Sequence, residues 1–323
     1  MSASLTEARR FASLVAMTPA NRTSRLRAGQ TKTAAPEIIS SRENRWLKLF
    51  RAALRDPDNG AEAVIGVEGP HPVEAALGSG ARVEAILVSI SGERHMAHFA
   101  PLIPADTEIL RTTDRLFAGL AATEAPQGIA ALVRPRPSSF DEIVIGSPLI
   151  VVIAGVQDPG NVGTILRTAE AMGATAAITC AVAGIGTSNP LAPKALRASA
   201  GSALRLPLIR GASAATLLLQ LRVAGIKNYA ACPAAPGDPD ISAAEKMEPA
   251  LRPWEADWTG PVALWIGNEG AGLPPEIARS ADARVTIPQA AGQPVAGALE
   301  SLNAAAAATI LLYEAAKQRG NLK

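Results

Sequence analysis

Three segments in the second half of the chain combine amide, guanidinium and carboxylate side chains with glycines. In the first, Asn161 and Arg167 are six residues apart and follow an apolar run that ends at Val156. Six residues are nearly two helical turns, so we expect both side chains on roughly one side of a helix that Asn161 caps. An amide and a cation at the carboxyl edge of a parallel sheet lie where such sheets bind ligands. A capped helix with a surface arginine is the other interpretation.

The second segment is an apolar strand that runs into a glycine-rich loop, from Leu264 to Leu273. It includes Ile266, Gly267, Asn268, Glu269, Gly270 and Gly272. Glycines let backbone groups approach a flat ligand closely. The order GxxGxG differs from the GxGxxG of dinucleotide-binding folds, which argues against a nicotinamide-dependent oxidoreductase. A plain tight turn is the second interpretation of this loop.

The third segment joins a short strand that ends at Ile287 to the long final helix. Ser301 and Asn303 lie where that helix begins, and either side chain is suited to cap it. The positive end of the helix dipole favours an anionic or carbonyl group nearby. Capping alone also explains both residues.

Buried strands and helices must hold these segments in place. Leu149–Val156 is an unbroken apolar run of the kind found in strands buried on both faces of a parallel sheet. We predict a helix at Asn161–Met172, ended by Gly173, and a closing helix at about Leu302–Arg319. Further strands are predicted at Ala176–Cys180, Ala203–Leu208, Lys227–Ala231, Val262–Ile266 and Arg284–Ile287. The predicted fold class is α/β with a mostly parallel sheet.

A smaller α/β domain is predicted ahead of this one. Its alternating strands and helices are expected at Ala63–Val67, Pro72–Leu77, Val83–Val88 and Ile129–Val133. A polar, proline-rich break from Arg134 to Ser139 follows. We therefore place the domains at 37–137 and 138–323, after a flexible basic arm at 1–36 that shows no sustained apolar period.

Charge is distributed unevenly along a chain whose formal net charge is +2. Met1–Arg55 carries eleven basic and three acidic residues, whereas the remainder has a net charge of −6. Within that basic region, Ser40–Leu54 has the spacing of an amphipathic helix, with an apolar face and a basic face. A basic end on an acidic body is typical of a protein that grips nucleic acid. A solvated tail without a partner is the alternative.

Composition excludes several other classes. The two cysteines, Cys180 and Cys232, are too few for a disulfide framework, and His95 and His98 have no third ligand nearby, so we expect no metal. The longest apolar run is too short to span a bilayer, and Met1–Arg10 lacks the apolar core of a signal peptide. We expect a soluble, cytoplasmic protein with no membrane partner.

Taken together, the motifs NxGxxxRT, IGNEGxGL, and TIP followed by ESLN resemble the three motifs of the SpoU ribose 2′-O-methyltransferases of the SPOUT superfamily. Upstream, Ile39–Asn44, Val67–Gly69 and Val73–Leu77 are similar to the small RNA-binding domain, itself like a ribosomal protein, that often precedes the catalytic domain in this family. The resemblance covers nearly the whole chain after residue 37.

The resemblance implies a deep C-terminal trefoil knot, S-adenosylmethionine as the cofactor, and a homodimer whose sites lie at the subunit interface. It places the cofactor against Leu264, Ile266, Gly267, Asn268, Gly270, Gly272, Leu273, Ile287 and Leu302. It places the reaction centre at Asn161, Arg167, Glu269, Ser301 and Asn303. One departure is the stretch Gln289–Leu299, whose eleven residues exceed the short linker of this motif and alter the expected wall of the cofactor pocket.

The implied function is methylation of a ribose 2′-hydroxyl in structured RNA, with 23S ribosomal RNA as the expected substrate. An arginine stays protonated in proteins, so we assign Arg167 to lowering the effective pKa of the hydroxyl and orienting a phosphate rather than to taking a proton. A tRNA 2′-O-methyltransferase and a catalytically silent RNA-binding or assembly protein of the same fold are the alternatives. The intact reaction-centre motif counts against the silent protein.

The charge asymmetry generates the first testable prediction. Reversing Arg42, Arg45 and Arg51 to Glu should weaken RNA binding and flatten its salt dependence, because each phosphate contact contributes about one unit to the salt slope. The free energy of unfolding should change by no more than about 0.5 kcal/mol, as is usual for surface substitutions. Filter binding at several salt concentrations, with thermal melts alongside, measures both. An unchanged affinity with an unchanged salt slope would show that this basic region is a solvated tail.

Overall fold

The computed structural model of the protein describes residues 38–55, 64–233, 249–289 and 301–322, all within the unit Glu37–Lys323. The predicted arm at 1–36 and residues 290–299 of the long linker lie outside the described residues. The described chain forms two sheets, and residues 135–139 between them belong to no helix or strand.

The first sheet has five strands in the order β1-β4-β3-β5-β2. Its elements are β1 (Ile38–Ile39), α1 (Arg45–Arg55), β2 (Ile65–Glu68), α2 (Pro70–Leu77), β3 (Arg82–Ser89), α3 (Met96–Phe99), β4 (Glu108–Thr112), α4 (Asp114–Ala118) and β5 (Ile129–Arg134), with 3₁₀ turns at Ser91–His95 and Ala100–Leu102. β1, β4 and β3 are parallel, whereas β5 is antiparallel to β3 and β2. The prediction that a small α/β domain comes first is confirmed.

Helix α1 is the predicted basic amphipathic helix. It buries Leu47, Phe50 and Leu54 against β2 and β5. The helix begins five residues later than predicted because the Asn44 side chain accepts a hydrogen bond from the Trp46 amide at 2.8 Å, which is the geometry of an N-cap.

The second sheet has six strands, and every neighbouring pair is parallel. Its order is β11-β9-β10-β6-β7-β8. The elements are α5 (Phe140–Ile143), β6 (Leu149–Ala154), α6 (Pro159–Ala171), β7 (Ala176–Ala181), α7 (Pro193–Ser199), α8 (Ser202–Arg205), β8 (Leu208–Ser213), α9 (Ala214–Val223), β9 (Lys227–Cys232), β10 (Val262–Ile266), α10 (Pro275–Ser280), β11 (Ala283–Thr286) and α11 (Ala304–Gln318). β6 is buried along its whole length, as its apolar run predicted.

One predicted strand is wrong. The segment Ala203–Leu208 is not a strand: its first residues belong to the helical turn α8, which follows Gly201 at a φ of +88°, and β8 begins only after Pro207. Ala203 and Leu204 are buried in the turn. An apolar run of this length buries its side chains equally well in a helical turn or a strand, so hydrophobicity alone did not separate the two.

The two sheets share one continuous apolar core. A single cluster of buried residues includes Val67 and Val73 from the first part of the chain and Val162 and Leu196 from the second. The contact is close at Gly201, where an added Cβ would lie 2.3 Å from the Cβ of Ala75. The relative position of the two sheets is therefore set by side-chain packing.

Helices α6 and α7 are also in close contact. A Cβ placed on Gly163 would lie 2.3 Å from the carbonyl oxygen of Ala195 and 2.7 Å from the Cβ of Ala198. Only a residue without a side chain allows this approach. Within the described ranges, no helix is both long enough and apolar enough to cross a lipid bilayer.

Gly163→Ala should therefore destabilise the fold, by about 2 kcal/mol or more, because the methyl group meets backbone of α7. Glycine to alanine within a helix is normally stabilising by up to about 1 kcal/mol, so the sign of the effect is diagnostic. Urea denaturation measures it. Gly260→Ala is the control, because within the described residues no heavy atom outside its two chain neighbours lies within 4 Å of the added Cβ there. Equal stability of the two variants would contradict the close helix contact.

Candidate functional site

The site forms where the carboxyl ends of β6 and β10 meet. These strands are neighbours and parallel, so the loops that follow them leave the sheet at the same edge. The first loop leads into α6, which carries Asn161, and the second carries Glu269. The Asn161 Nδ2 donates a hydrogen bond to the Glu269 Oε1 at 2.9 Å. The topology thus brings together two residues that the sequence separates by 108 positions.

The Glu269 carboxylate is held on both oxygens. Besides Asn161, it accepts hydrogen bonds from the backbone amides of Gln157 and Asp158, each at 3.1 Å. Partial burial raises the pKa of this carboxyl, but the hydrogen bonds from Asn161 and the two amides outweigh burial and hold its pKa below the ordinary value. Glu269 is therefore ionised, with its lone pairs engaged by donors of the protein.

A second amide extends this network to the final helix. The Asn303 Nδ2 donates to the Asn161 Oδ1 at 3.1 Å, while the Asn303 Oδ1 accepts from the backbone amides of Ala305 and Ala306. The predicted cap of the final helix is thus confirmed for Asn303. We call the series Asn303, Asn161 and Glu269 the amide chain. It ties the start of α11 to the loops after β6 and β10.

The expectation that Asn161 caps its own helix is wrong. α6 begins at Pro159, and its N-cap is Asp158, whose side chain accepts from the Gly160 amide at 3.0 Å and pairs with Lys194 at 2.6 Å. Proline is well suited to the first helical position, which moves the start of α6 ahead of Asn161. Asn161 therefore lies inside the helix, where its side chain is available to the amide chain.

The expectation that Arg167 lies on the same side as Asn161 is also wrong. Six residues at about 100° each place it about 120° around α6 from Asn161. Thr168, not Arg167, faces α11, where its hydroxyl lies 3.4 Å from that of Thr309. Arg167 is exposed, and among the described residues its guanidinium has no hydrogen-bonding or ionic partner. Its charge is free to meet a ligand.

A cavity of about 300 Å³ opens beside Glu269. Its walls include most of the residues predicted to hold a cofactor, namely Ile266, Gly267, Asn268, Gly270, Gly272, Leu273, Ile287 and Leu302, together with Glu269, Ser301 and Gln289. Leu264 is not among them: it belongs to β10, the strand between β6 and β9, and its side chain is fully buried in the core. The volume lies at the lower end of the range for small-molecule sites.

The glycine-rich loop is folded tightly onto itself. A Cβ on Gly267 would lie 2.3 Å from the carbonyl carbon of Gly272, so the loop closes only with glycine there. The Asn268 side chain accepts from the backbone amides of Gly270 and Ala271 and donates to the carbonyl of Gly155 at 2.9 Å. The role of Asn268 is therefore to shape the loop and join it to the loop after β6.

Sequence reasoning missed part of the cavity wall. Ala231, Cys232 and Pro233, at the end of β9, also line it. β9 is the other parallel neighbour of β10, so its carboxyl end reaches the same edge. In the sequence, the only sign of this wall was a predicted strand followed by Pro233. Assigning it to the cavity required knowing that β9 pairs with β10. Burial raises the pKa of the Cys232 thiol, which keeps it protonated near neutral pH.

The site has the chemistry of an organic ligand rather than of a metal. In the described part of the chain, no group of three or more His, Cys, Asp or Glu residues is placed to hold a metal ion. The cavity instead offers apolar side chains and backbone groups of a glycine-rich loop, which suit a flat molecule.

Comparison with known proteins identifies the family. The model of the SpoU rRNA Methylase family matches residues 148–313, slightly more than half of the chain. The chain belongs to the SpoU rRNA methylase family. The prediction of a SpoU-type RNA methyltransferase is therefore confirmed. A second model, the MRM3-like substrate binding domain, matches residues 61–131.

Similar proteins of the SpoU family cover most of the chain. The 23S rRNA (guanosine-2′-O-)-methyltransferase RlmB of Ralstonia nicotianae is 33% identical over 68% of this chain and 77% of its own length. RlmP of Bacillus subtilis, a 23S rRNA (guanosine(2553)-2′-O)-methyltransferase, is 31% identical over 83% of this chain and 93% of its own. The SpoU methyltransferase AviRb of Streptomyces viridochromogenes, solved with AdoMet, aligns with a TM-score of 0.68 at 28% identity over 87% and 100% of the two chains.

The network around Glu269 predicts how the stability of one variant will depend on pH. Asn161→Asp places a second carboxylate about 2.9 Å from Glu269, which should destabilise the protein by about 2 kcal/mol at neutral pH and raise the pKa of one carboxyl. A raised pKa in the folded state means that stability is regained as the pH falls through it. The melting temperatures of variant and wild type should therefore converge towards about pH 5.

Asn161→Ala is the control, because it removes the amide without adding a charge. The difference in melting temperature between Asn161→Ala and the wild type should vary much less with pH. If Asn161→Asp loses as much stability at about pH 5 as at about pH 8, the two carboxyls are not in contact and the amide chain is misassigned.

Proposed function

We propose that this protein transfers the methyl group of S-adenosylmethionine to a ribose 2′-hydroxyl of 23S ribosomal RNA. The observation that carries the proposal is the amide chain, whose Glu269 lines a glycine-walled cavity, in a chain of the SpoU rRNA methylase family. The names of RlmB and RlmP support the choice of 23S RNA and of the 2′-oxygen. The substrate-binding family model at 61–131 supports an RNA-binding role for the first domain.

The cavity fits the cofactor. Ile266, Ile287 and Leu302 offer apolar surface for an adenine ring, and the loop from Gly267 to Leu273 offers backbone groups to its edge. A Cβ on Gly267 would collide with the backbone of Gly272 and prevent this fold of the loop, so glycine is required there. When bound there, S-adenosylmethionine supplies a methyl group on a positively charged sulfur, ready for in-line displacement.

The amide chain positions the reaction rather than taking a proton. Glu269 has a lowered pKa and accepts three hydrogen bonds within 3.1 Å, so it is a weak base. Its function is to fix the amide of Asn161, and through it the start of α11, beside Ser301. Holding a hydroxyl in line with the methyl donor supplies much of the rate of such a transfer. Asn161, Glu269 and Asn303 are therefore positioning residues.

Arg167 supplies the positive charge. Its exposed guanidinium has no partner in the described part of the chain, so it is available to a phosphate and to the oxygen that becomes negative during transfer. An arginine remains protonated, so the hydroxyl proton passes to water or to a phosphate oxygen. Ser301, exposed at the cavity wall, is placed to contact the same ribose.

Three further features belong to this proposal. We propose a homodimer, supported by Ile310 and Tyr313, two large apolar side chains exposed on α11. We propose a trefoil knot at the C-terminus, supported by the family. We place the protein in the cytoplasm, which rests on the proposed ribosomal substrate. Sedimentation of the purified protein tests the dimer.

The direct test is to map 2′-O-methyl groups on unmodified 23S rRNA after incubation with the protein and S-adenosylmethionine. We expect one new 2′-O-methylated position. Methylation of a tRNA transcript instead would show that the substrate is tRNA rather than rRNA. Binding of 23S rRNA without methyl transfer would overturn the enzymatic proposal in favour of an assembly role.

Arg167→Ala should lower kcat about 100-fold or more while leaving the cofactor affinity nearly unchanged, because the charge acts on groups that change in the transition state. Arg167→Lys should also be poor, since an ammonium does not reproduce the fork of a guanidinium. Single-turnover rates measure the effect on methyl transfer, and calorimetry with S-adenosylmethionine measures the effect on cofactor affinity. Arg115→Ala, which removes another exposed arginine without a described partner, is the control. Near-normal turnover of either Arg167 variant would show that Arg167 does not act in the reaction centre.

A further inference from the structure

Helix α7 lies between the first sheet and the amide chain. On one side it contacts α6, where the carbonyl of Ala195 approaches Gly163. On the other side, Leu196 and Arg197 line a small crevice together with Leu54 at the end of α1 and Glu68 at the end of β2. α7 therefore contacts both β2 of the first sheet and the helix that carries Asn161.

Arg197 is exposed beside this crevice and has a free guanidinium group among the described residues. In the ranges 38–55, 64–233, 249–289 and 301–322, its guanidinium has no hydrogen-bonding or ionic partner. Neighbouring cations of the same region are engaged: Lys194 with Asp158 at 2.6 Å, and Arg205 with Glu170 at 2.7 Å. A long cationic side chain left free among paired ones suits a ligand that is itself anionic.

The surrounding charge leaves room for an anion. α7 carries two cations and no acidic residue. The nearest carboxylate among the residues that line the crevice is that of Glu68, and it is occupied: it accepts a hydrogen bond from the Ala122 amide at 2.6 Å and another from the Thr123 hydroxyl. Glu68 forms no ion pair with Arg197, so the N–H donors of the Arg197 guanidinium stay available to a phosphate.

The shared core fixes the position of α7 relative to both the first sheet and the amide chain. Because Gly201 packs directly on Ala75, the first sheet and the amide chain are held in one fixed relation. An RNA that is bound by both meets them in this fixed relation, and α7 is in contact with both β2 and α6. RNA carries a phosphate at every nucleotide, so an exposed arginine at this junction is available to the RNA backbone.

We propose that Arg197 binds a backbone phosphate of the RNA substrate at the point where the RNA passes from the first domain to the cavity. This rests on the proposed function, since it takes RNA as the substrate. A phosphate contact positions the RNA without reading its bases. Arg197 is thus an RNA-positioning residue, distinct from Arg167 at the reaction centre.

The test uses the full chain and unmodified 23S rRNA, with binding measured from low to moderate salt. Arg197→Met, which keeps an unbranched stem and removes the charge, should weaken binding about two- to fivefold at low salt and lower the salt slope by about one. Arg197→Glu should weaken it further. Arg197→Lys should recover most of the affinity, because a point charge also holds a phosphate. Calorimetry with S-adenosylmethionine and the melting temperature should be unchanged in all three.

Arg82→Met is the matched control. Arg82 is also exposed and also lacks a partner among the described residues, but it starts β3, at the opposite end of the first sheet from Glu68. Its RNA affinity and salt slope should equal those of the wild type. The proposal is overturned if Arg197→Met binds RNA like the wild type, or if Arg82→Met weakens binding equally. Failure of the wild type to methylate 23S rRNA would instead count against the proposed function, since binding and its salt slope are measured separately.

Discussion

The hydrogen bonds that converge on the Glu269 carboxylate hold together parts of the chain that are more than a hundred residues apart. Two backbone amides and the Asn161 amide reach it from the loop and helix after β6, and Asn303 joins through Asn161 from the start of α11. A partly buried carboxylate that loses such donors is costly, because its charge is then underpaired. The two loops and the final helix are therefore coupled through a single charge, and the cavity wall beside them is positioned by the same contacts.

That arrangement divides the chemistry of the protein between two kinds of group. The carboxylate and the two side-chain amides of the amide chain are hydrogen-bonded to one another, which makes them rigid and poor at moving protons. The exposed guanidinium groups of Arg167 and Arg197 are left without partners in the described chain, so they are the groups available to an anionic polymer. In the proposed function, the hydrogen-bonded groups position the reactants and the unpartnered arginines recognise the charge.

Close packing connects this site to the rest of the molecule. Gly163 lets α7 approach α6, and Gly201 lets the second part of the chain approach α2, so one apolar core runs through both sheets. Cores of this density respond to added methyl groups with strain rather than with gradual movement. The distance from the first sheet to the amide chain is consequently set by the packing.

The sequence by itself determined what depends on near neighbours. The apolar run of β6, the glycine-rich loop after β10 and the Asn303 cap of α11 were all predicted, because burial period and capping act within a few residues. The motif order was also sufficient to predict the family. Local reasoning failed at Ala203–Leu208, whose apolar composition suits a turn and a strand alike.

Only the tertiary structure decided the partners of each site residue. Asn161 looked like a cap, but Asp158 took that role and left its amide to a carboxylate 108 residues away. Leu264 looked like a cofactor contact but lies in the core, while Cys232 lines the cavity because β9 is paired with β10. Such contacts follow from which strand ends lie side by side, and strand order is settled by packing over the whole chain rather than by any local stretch of it.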